Sequence, residues 1–131
     1  MAIRDSLKAN LDVSLASSNV SVSSELPYEA SGEALYLKNM KFVYLDEDNI
    51  SKTVMVNCLD NNDVIQTETT VQVFLAVDAK TLPGDIDTIV ANVINSRNSI
   101  TNQGIRECEM TTETEADVLT YTFDYRFVTV T

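Results

Sequence analysis

Two short acidic runs carry the side chains best suited to chemistry in the first half of this chain. One run is Asp46, Glu47, Asp48 and Asn49, and the other is Asp60, Asn61, Asn62 and Asp63. Their oxygens are ligands that Ca²⁺ prefers, but an EF-hand loop also needs Gly at its sixth position and Glu at its twelfth. Counted from Asp60, these positions hold Ile65 and Val71. We therefore expect no metal site and interpret both runs as solvated turns.

A third acidic run lies closer to the C-terminus. Its members are Glu107, Glu109, Glu113, Glu115 and Asp117. Alternate residues of a strand point to the same face, so Glu107 and Glu109 would repel each other unless both face solvent. The spacing predicts an exposed edge rather than a buried acid pair with a shifted pKa.

The common catalytic arrangements cannot be built from this sequence. The chain has no histidine, which excludes Ser-His and Cys-His pairs. Its three glycines, Gly32, Gly84 and Gly104, are too far apart to form a phosphate-binding or dinucleotide-binding loop. We predict a binding or structural protein that is not an enzyme and carries no cofactor.

The two cysteines, Cys58 and Cys108, show no metal-binding or redox spacing. We interpret both as small side chains that are buried or half-buried in β-like segments. A disulfide between them stays open as an alternative, but only if those two segments are neighbours.

Charge is the strongest global property of the chain. Twenty acidic residues against nine basic ones give a net charge of −11, and the basic residues are scattered singly. Because proteins grip DNA through clustered Lys and Arg, sequence-specific DNA binding is not expected. Two interpretations remain: the charge keeps the protein soluble, or it forms a wall past which DNA slides without sticking.

Length and hydropathy indicate the class of protein. The 131 residues suit one domain, 1–131, and no apolar run is long enough to cross a membrane. The N-terminus lacks the apolar core of a secretory signal, so we expect a protein that is made in the cytoplasm.

Hydrophobic periodicity indicates two long strands and two helices. Odd residues from Ile65 to Val77 are mostly apolar, and the odd residues from Leu119 to Phe127 repeat this period of two. Between them lies an apolar stripe at helical spacing, formed by Ile86, Ile89, Val90, Val93 and Ile94. A second stripe, formed by Ile3, Leu7, Leu11 and Leu15, predicts an N-terminal helix that ends near Ser17. The pattern predicts an α+β sandwich.

The predicted elements follow one another along the whole chain. After the first helix come a loop or short edge strand at 17–24, a turn at 27–32, and strands at 35–45 and 52–59 joined by a hairpin tip at 46–52. A turn at 60–63 leads to a strand at 64–78 and a helix at 84–96. A loop at 98–104, a short strand at 105–110, an acidic turn at 111–117 and a strand at 118–131 complete the order.

This order resembles the tail-terminator proteins of long-tailed bacteriophages, which complete the tail and join it to the head. The segments most alike are the strand-to-helix passage from Val71 to Ile94 and the final strand from Leu119 to Tyr125. The likeness covers nearly the whole chain through pattern and length, and no diagnostic motif carries it. The segment from Ser17 to Leu35 is additional to the family pattern.

The resemblance implies an antiparallel sheet of about four to five strands flanked by two α-helices, and assembly into a hexameric ring. Such a ring ends tail-tube polymerisation at the head-proximal end and contacts the tube protein and a neck or head-completion protein. The implied location is the virion, after synthesis in the host bacterial cytoplasm.

The resemblance also gives the acidic runs possible roles. As alternatives to solvated turns, residues 46–49 and 60–63 could contact neighbouring rings. The run from Glu107 to Asp117 could line a lumen through which DNA passes. Another neck or connector ring protein is one alternative function. A small-ligand-binding or enzymatic α+β domain, recognisable by a deep pocket with a perturbed carboxylate, is an alternative of a different class.

Overall fold

The long period-2 segment forms the strand around which the sheet is built. The computed structural model describes residues 3–18, 20–23, 41–56, 64–80, 82–101, 103–115 and 117–130. In it, strand β4 (Val64–Asp78) covers the predicted range. Its odd residues from Thr69 to Val77 are buried, whereas its even residues are half-buried or exposed. The alternation predicted from the sequence is therefore confirmed.

Six strands are present in the described part of the chain, one or two more than predicted. The other five are β1 (Ser21–Ser23), β2 (Lys41–Leu45), β3 (Asn49–Val56), β5 (Ile105–Glu115) and β6 (Val118–Val130). The sheet order is β1-β2-β4-β6-β5, and β3 also pairs with β4. Among these six strands, only the short β1, which pairs with β2, runs parallel to its neighbour. The predicted α+β class with a mainly antiparallel sheet is confirmed.

Both predicted helices pack on the same face of this sheet. Helix α1 (Ile3–Ser14) and helix α2 (Ile86–Asn95) are each followed by a short 3₁₀ helix. Their apolar stripes join the odd residues of β4 and β6 in one core cluster. Its fully buried members include Leu7, Leu11, Leu15, Val73, Leu75, Ile89, Val93, Phe123 and Phe127. We call the sheet face that they cover the helix face, and the opposite one the open face.

Polar contacts fix the two helices to each other and to the sheet. The Ser96 hydroxyl donates to Asn10 Oδ1 at 2.7 Å, and the Asn92 side-chain amide donates to the Ser14 carbonyl at 3.3 Å. The buried Tyr125 hydroxyl of β6 donates to the Val93 carbonyl of α2. Because these buried and part-buried polar groups have partners, they fix the helix positions without a large desolvation cost.

The predicted hairpin at residues 46–52 is wrong. Strands β2 and β3 do not pair with each other but lie one after the other along the same edge of β4. Leu45 is opposite Val73 and Asn49 is opposite Thr70, so three intervening residues face two on β4. This is a β-bulge, with one extra residue at Asp46, Glu47 and Asp48. A polar run fits a bulge as well as a turn, and so the sequence pattern could not separate them.

The predicted acidic turn at 111–117 is also wrong over most of its length. Strand β5 continues through Glu115, and Glu115 pairs with Val118 across a two-residue connection. Asp117 in this connection has a φ of 66°, the left-handed conformation that Asp tolerates in tight hairpin turns. Residues 111–115 extend as a strand because each of them pairs with a residue of β6.

Some predicted elements lie outside the described residues. They are the turn at 27–32, the first part of the strand at 35–45, the end of the strand at 52–59 with Cys58, and the turn at 60–63. Within the part of the chain that is described, no helix has both the length and the apolar character needed to cross a membrane.

Candidate functional site

The open face of the sheet collects the carboxylates of the strands. Directly opposed residues of an antiparallel pair share a face, so the register assigns each strand residue to a side. Glu107 is opposite Arg126, Glu109 is opposite Asp124, and Gln72 is also opposite Asp124. By this register, the acidic strand residues of the described sheet all lie on the open face: Glu68, Asp78, Glu107, Glu109, Glu113, Glu115 and Asp124.

A cleft of about 450 Å³ lies on this face, where the β2–β3 bulge approaches β4, β6 and β5. Asp46, Glu47 and Asn49 line it from the bulge and the start of β3, and Glu107 and Glu109 line it from β5. The structure thus brings together two acidic runs that are about 60 residues apart in sequence. Several of its lining side chains, including Glu47, Gln72 and Glu107, are exposed.

Arg126 of β6 forms ion pairs with acidic groups of the two neighbouring strands. Its Nε lies 3.2 Å from Glu68 Oε1 on β4, and its Nη1 lies 3.3 Å from Glu107 Oε2 on β5. These two carboxylates, Glu68 foremost, raise the pKa of the Arg126 guanidinium. Sequence reasoning missed this residue, because its role depends on strand pairs that join β4, β6 and β5.

Other side chains of the cleft are bound to each other in a similar way. The Gln72 amide donates to Asp124 Oδ1 at 2.9 Å, across β4 and β6. Next to the bulge, the Tyr44 hydroxyl donates to Asp46 Oδ1 at 3.4 Å, and the Tyr44 ring stacks on Phe74 with centroids 6.0 Å apart. Burial and the negative charge of Asp46 raise the pKa of Tyr44. Tyr44 is therefore a neutral hydrogen-bond donor at physiological pH.

Asp48 has a contact that sequence reasoning did not anticipate. Its Oδ1 accepts a hydrogen bond from the backbone N–H of Arg4, 44 residues away, at 3.0 Å. Arg4 lies in the first turn of α1, where backbone N–H groups have no partner within the helix and a negative charge is favourable. The bulge thus supplies a capping carboxylate to α1, while Asp46 and Glu47 face the cleft.

The remaining residues of the third acidic run lie beyond the cleft. Glu113 and Glu115 continue the row of carboxylates along the open face of β5. Asp117 lies in the β5–β6 connection, where its Oδ2 is 3.2 Å from Lys80 Nζ. The second predicted run, residues 60–63, lies outside the described residues.

The donor groups of the cleft do not converge on one point. In the ranges that the structure describes, no three Cys, Asp or Glu side chains are arranged to hold a metal ion. Cys108 is a half-buried free thiol on the helix face of β5, and burial raises its pKa to about 11. A thiol with such a pKa is a poor nucleophile at neutral pH. Cys108 therefore fits the predicted role of a small packed side chain.

Comparisons with known proteins give a likeness of fold. No protein family model and no curated protein sequence matches the chain. Among solved structures, it is similar to a chain in the virion of a native gene transfer agent (GTA) particle, with a TM-score of 0.50 and 10% sequence identity. The alignment covers 99% of this chain and 96% of the other. With so low an identity, the likeness is one of fold, and it extends along nearly the whole length of both chains.

Proposed function

We propose that this chain is a non-enzymatic structural protein of a virion, which forms a ring of six copies at the head-proximal end of a phage tail. In this position the ring ends polymerisation of the tail tube and joins the tail to the neck. The observation that carries the proposal is the end-to-end fold likeness to a chain of a gene transfer agent virion. The order of elements, which resembles that of tail-terminator proteins, supports the narrower role.

The distribution of charge supports a lumen for DNA. Among the described strands, seven carboxylates share the open face with a single basic residue, Arg126. We assign this face, and in particular Glu107, Glu109, Glu113 and Glu115, to the inner wall of the ring. A wall of negative charge repels the DNA backbone and leaves the DNA free to move. Asp117 extends the same wall at the β5–β6 connection.

The polar residues beside the β2–β3 bulge support contact with a neighbouring ring. Glu47 and Asn49 are exposed and Asp46 is half-buried, and we assign them, together with residues 60–63, to contacts with the tube protein or a neck protein. Asp48 belongs to the same run, but its bond to Arg4 restricts it to holding the bulge against α1.

The test is assembly with phage tail tubes. The chain is measured by light scattering alone and with preassembled tubes, and the tube ends are inspected by negative-stain electron microscopy. We expect rings at one end of each tube and an arrest of further growth there. An acidic protein of similar size and charge controls for adsorption. A chain that stays monomeric at high concentration and in the presence of tubes would refute the proposal.

Two other functions predict different results in the same experiment. Another neck or connector ring protein would form rings without stopping tube growth. A small-ligand-binding or enzymatic α+β domain would use the cleft of about 450 Å³. We favour a docking surface over a ligand pocket, because exposed side chains such as Glu47, Asn49 and Glu109 form much of the cleft wall.

A further inference from the structure

The sheet has two long edges to which no described strand is paired. Within the described sheet, strand β5 forms one edge and pairs only with β6, and strand β3 lies on the other side and pairs only with β4. Every described side chain of β3 is exposed, as are all those of β5 except Cys108. Unpaired backbone N–H and C=O groups at such edges can accept a strand from another molecule.

We propose that β5 of one copy pairs with β3 of the next, so that the sheets of successive copies form one continuous wall. This inference rests on the ring of the proposed function and names the surfaces that build it. Strands β3 and β5 run in opposite directions within one molecule, because three antiparallel pairs separate them. Copies related by rotation about an axis along the strands would therefore place β5 antiparallel to the neighbouring β3.

The side chains of the two edges match on the helix face. On β3 this side carries the exposed apolar residues Ile50 and Val54, and on β5 it carries Met110, which is 41% exposed. Isolated exposed apolar residues are common, and Ile105 of β5 is exposed on the open face. Ile50, Val54 and Met110, however, lie on the same side of the two edges. Pairing would remove them from water together.

The two edges also match on the open face. Strand β3 presents the side chains of Asn49, Ser51 and Thr53, which can donate hydrogen bonds, and β5 presents its row of glutamates. Two antiparallel registers place an apolar residue of β3 opposite Met110. If Ile50 is opposite Met110, Ser51 is opposite Glu109. If Val54 is opposite Met110, Ser51 is opposite Glu113. Both registers therefore give an apolar contact with Met110 on the helix face and a contact of Ser51 with a glutamate on the open face.

Charge excludes the symmetric alternative. A two-fold pairing of β5 with a second β5 would bring four glutamates of each copy onto one shared face, which is destabilising. Pairing of β5 with β3 avoids this repulsion, since Lys52 is the only charged residue of β3. Such a head-to-tail contact closes into a ring or extends as a filament.

Cysteine cross-linking tests which edges meet. In a Cys58→Ser, Cys108→Ser background, a chain with Ser51→Cys is mixed with a chain that carries Glu109→Cys or Glu113→Cys, and the mixture is mildly oxidised. We expect a mixed disulfide dimer from at least one mixture, and far less dimer from either glutamate variant alone. Absence of the mixed dimer, or equal self-linking of the glutamate variants, would overturn the pairing.

A charge on the β3 edge provides an independent readout. The double variant Ile50→Glu, Val54→Glu adds a carboxylate where Met110 would pack in either register, and we expect association to weaken by about tenfold or more. Val13→Glu is the matched control, because Val13 is 78% exposed on α1 and belongs to neither edge. If both variants form rings like the natural chain, the edge pairing is refuted and the ring proposal stands. If the natural chain never assembles, both fall.

Discussion

Single residues of the terminal strand connect the sequence pattern to the stability of the fold. Phe123 and Phe127 are fully buried on the helix face of β6, and Tyr125 on the same face is only 1% exposed. The rings of Tyr125 and Phe127 stack with centroids 6.0 Å apart. These three are the largest fully buried side chains of the core, and the Tyr125 hydroxyl bonds the row to the Val93 carbonyl of α2.

The variant Phe123→Ala measures that contribution. Removing the ring leaves a cavity between the sheet and the helices, and we expect the free energy of unfolding to fall by about 3 to 5 kcal/mol. Urea denaturation followed by circular dichroism gives the value. Val13→Ala, at a side chain in contact with solvent, should change it by less than about 0.5 kcal/mol. A Phe123→Ala protein with the stability of the natural chain would contradict the observed core.

The core residues could be predicted from the sequence, whereas the polar contacts between distant residues could not. The period of two places Phe123, Tyr125 and Phe127 on one face whatever the strands pair with. By contrast, the cap that Asp48 gives to α1 depends on a bulge beside β4 and a helix start that come together only in the folded chain. No local pattern signals a contact across 44 residues.

At the scale of elements, the β5–β6 hairpin is held by an unusual backbone conformation. Asp117 has a φ of 66°, and its carbonyl accepts a hydrogen bond from the N–H of Ala79 at 2.8 Å. The hairpin thus connects to the end of β4 as well as closing on itself. Its turn residue must tolerate the left-handed region, which β-branched residues avoid.

Substitutions at Asp117 separate conformation from charge. Asp117→Val should lower the free energy of unfolding by about 1 to 2 kcal/mol, because the branched side chain is strained at this φ. Asp117→Asn keeps the conformation and removes only the ion pair with Lys80, whose side chain is 73% exposed. Such pairs contribute little, so thermal unfolding of this variant should resemble that of the natural chain. Equal effects of the two variants would contradict the turn argument.

The elements that were predicted correctly are those in which apolar residues recur at one constant spacing over a long segment. Strand β4, strand β6 and helix α2 each direct one stripe toward the core, and their predicted bounds agree with the structure to within two residues. The errors lie in polar segments, where residues 46–48 form a bulge and residues 111–115 a strand. An edge strand that is exposed on both faces has no hydrophobic alternation, and so its strand character comes from backbone pairing alone.

At the scale of the whole molecule, the fold converts an acidic composition into a polarised surface. The net charge of −11 alone does not show where on the surface the acidic side chains lie. The register of β4, β5 and β6 then places every strand carboxylate on the open face, opposite the helices. This separation could not be read from the sequence, because it requires both the extent of β5 and its pairing with β6.

The polarised surface leads to a prediction about DNA. The free chain should not bind duplex DNA at physiological salt, since that affinity comes from counterions released by clustered Lys and Arg. A mobility-shift assay over a salt series checks this directly. Tight binding that weakens as salt is raised would contradict both the assignment of the open face to a lumen and the prediction that the chain does not recognise DNA.

Assembled particles test the acidic wall itself. Replacing Glu109, Glu113 and Glu115 of β5 with Lys reverses the charge on the proposed inner wall, and DNA should then be retarded or trapped as it passes. Lys8 and Asp12 form an exposed ion pair on α1, away from the sheet, so Asp12→Lys is a control that adds positive charge outside the wall. DNA release from particles, measured as a rate, should fall for the β5 variant and stay unchanged for Asp12→Lys. If the β5 variant and Asp12→Lys release DNA at equal rates, the carboxylates of β5 do not line the path of DNA.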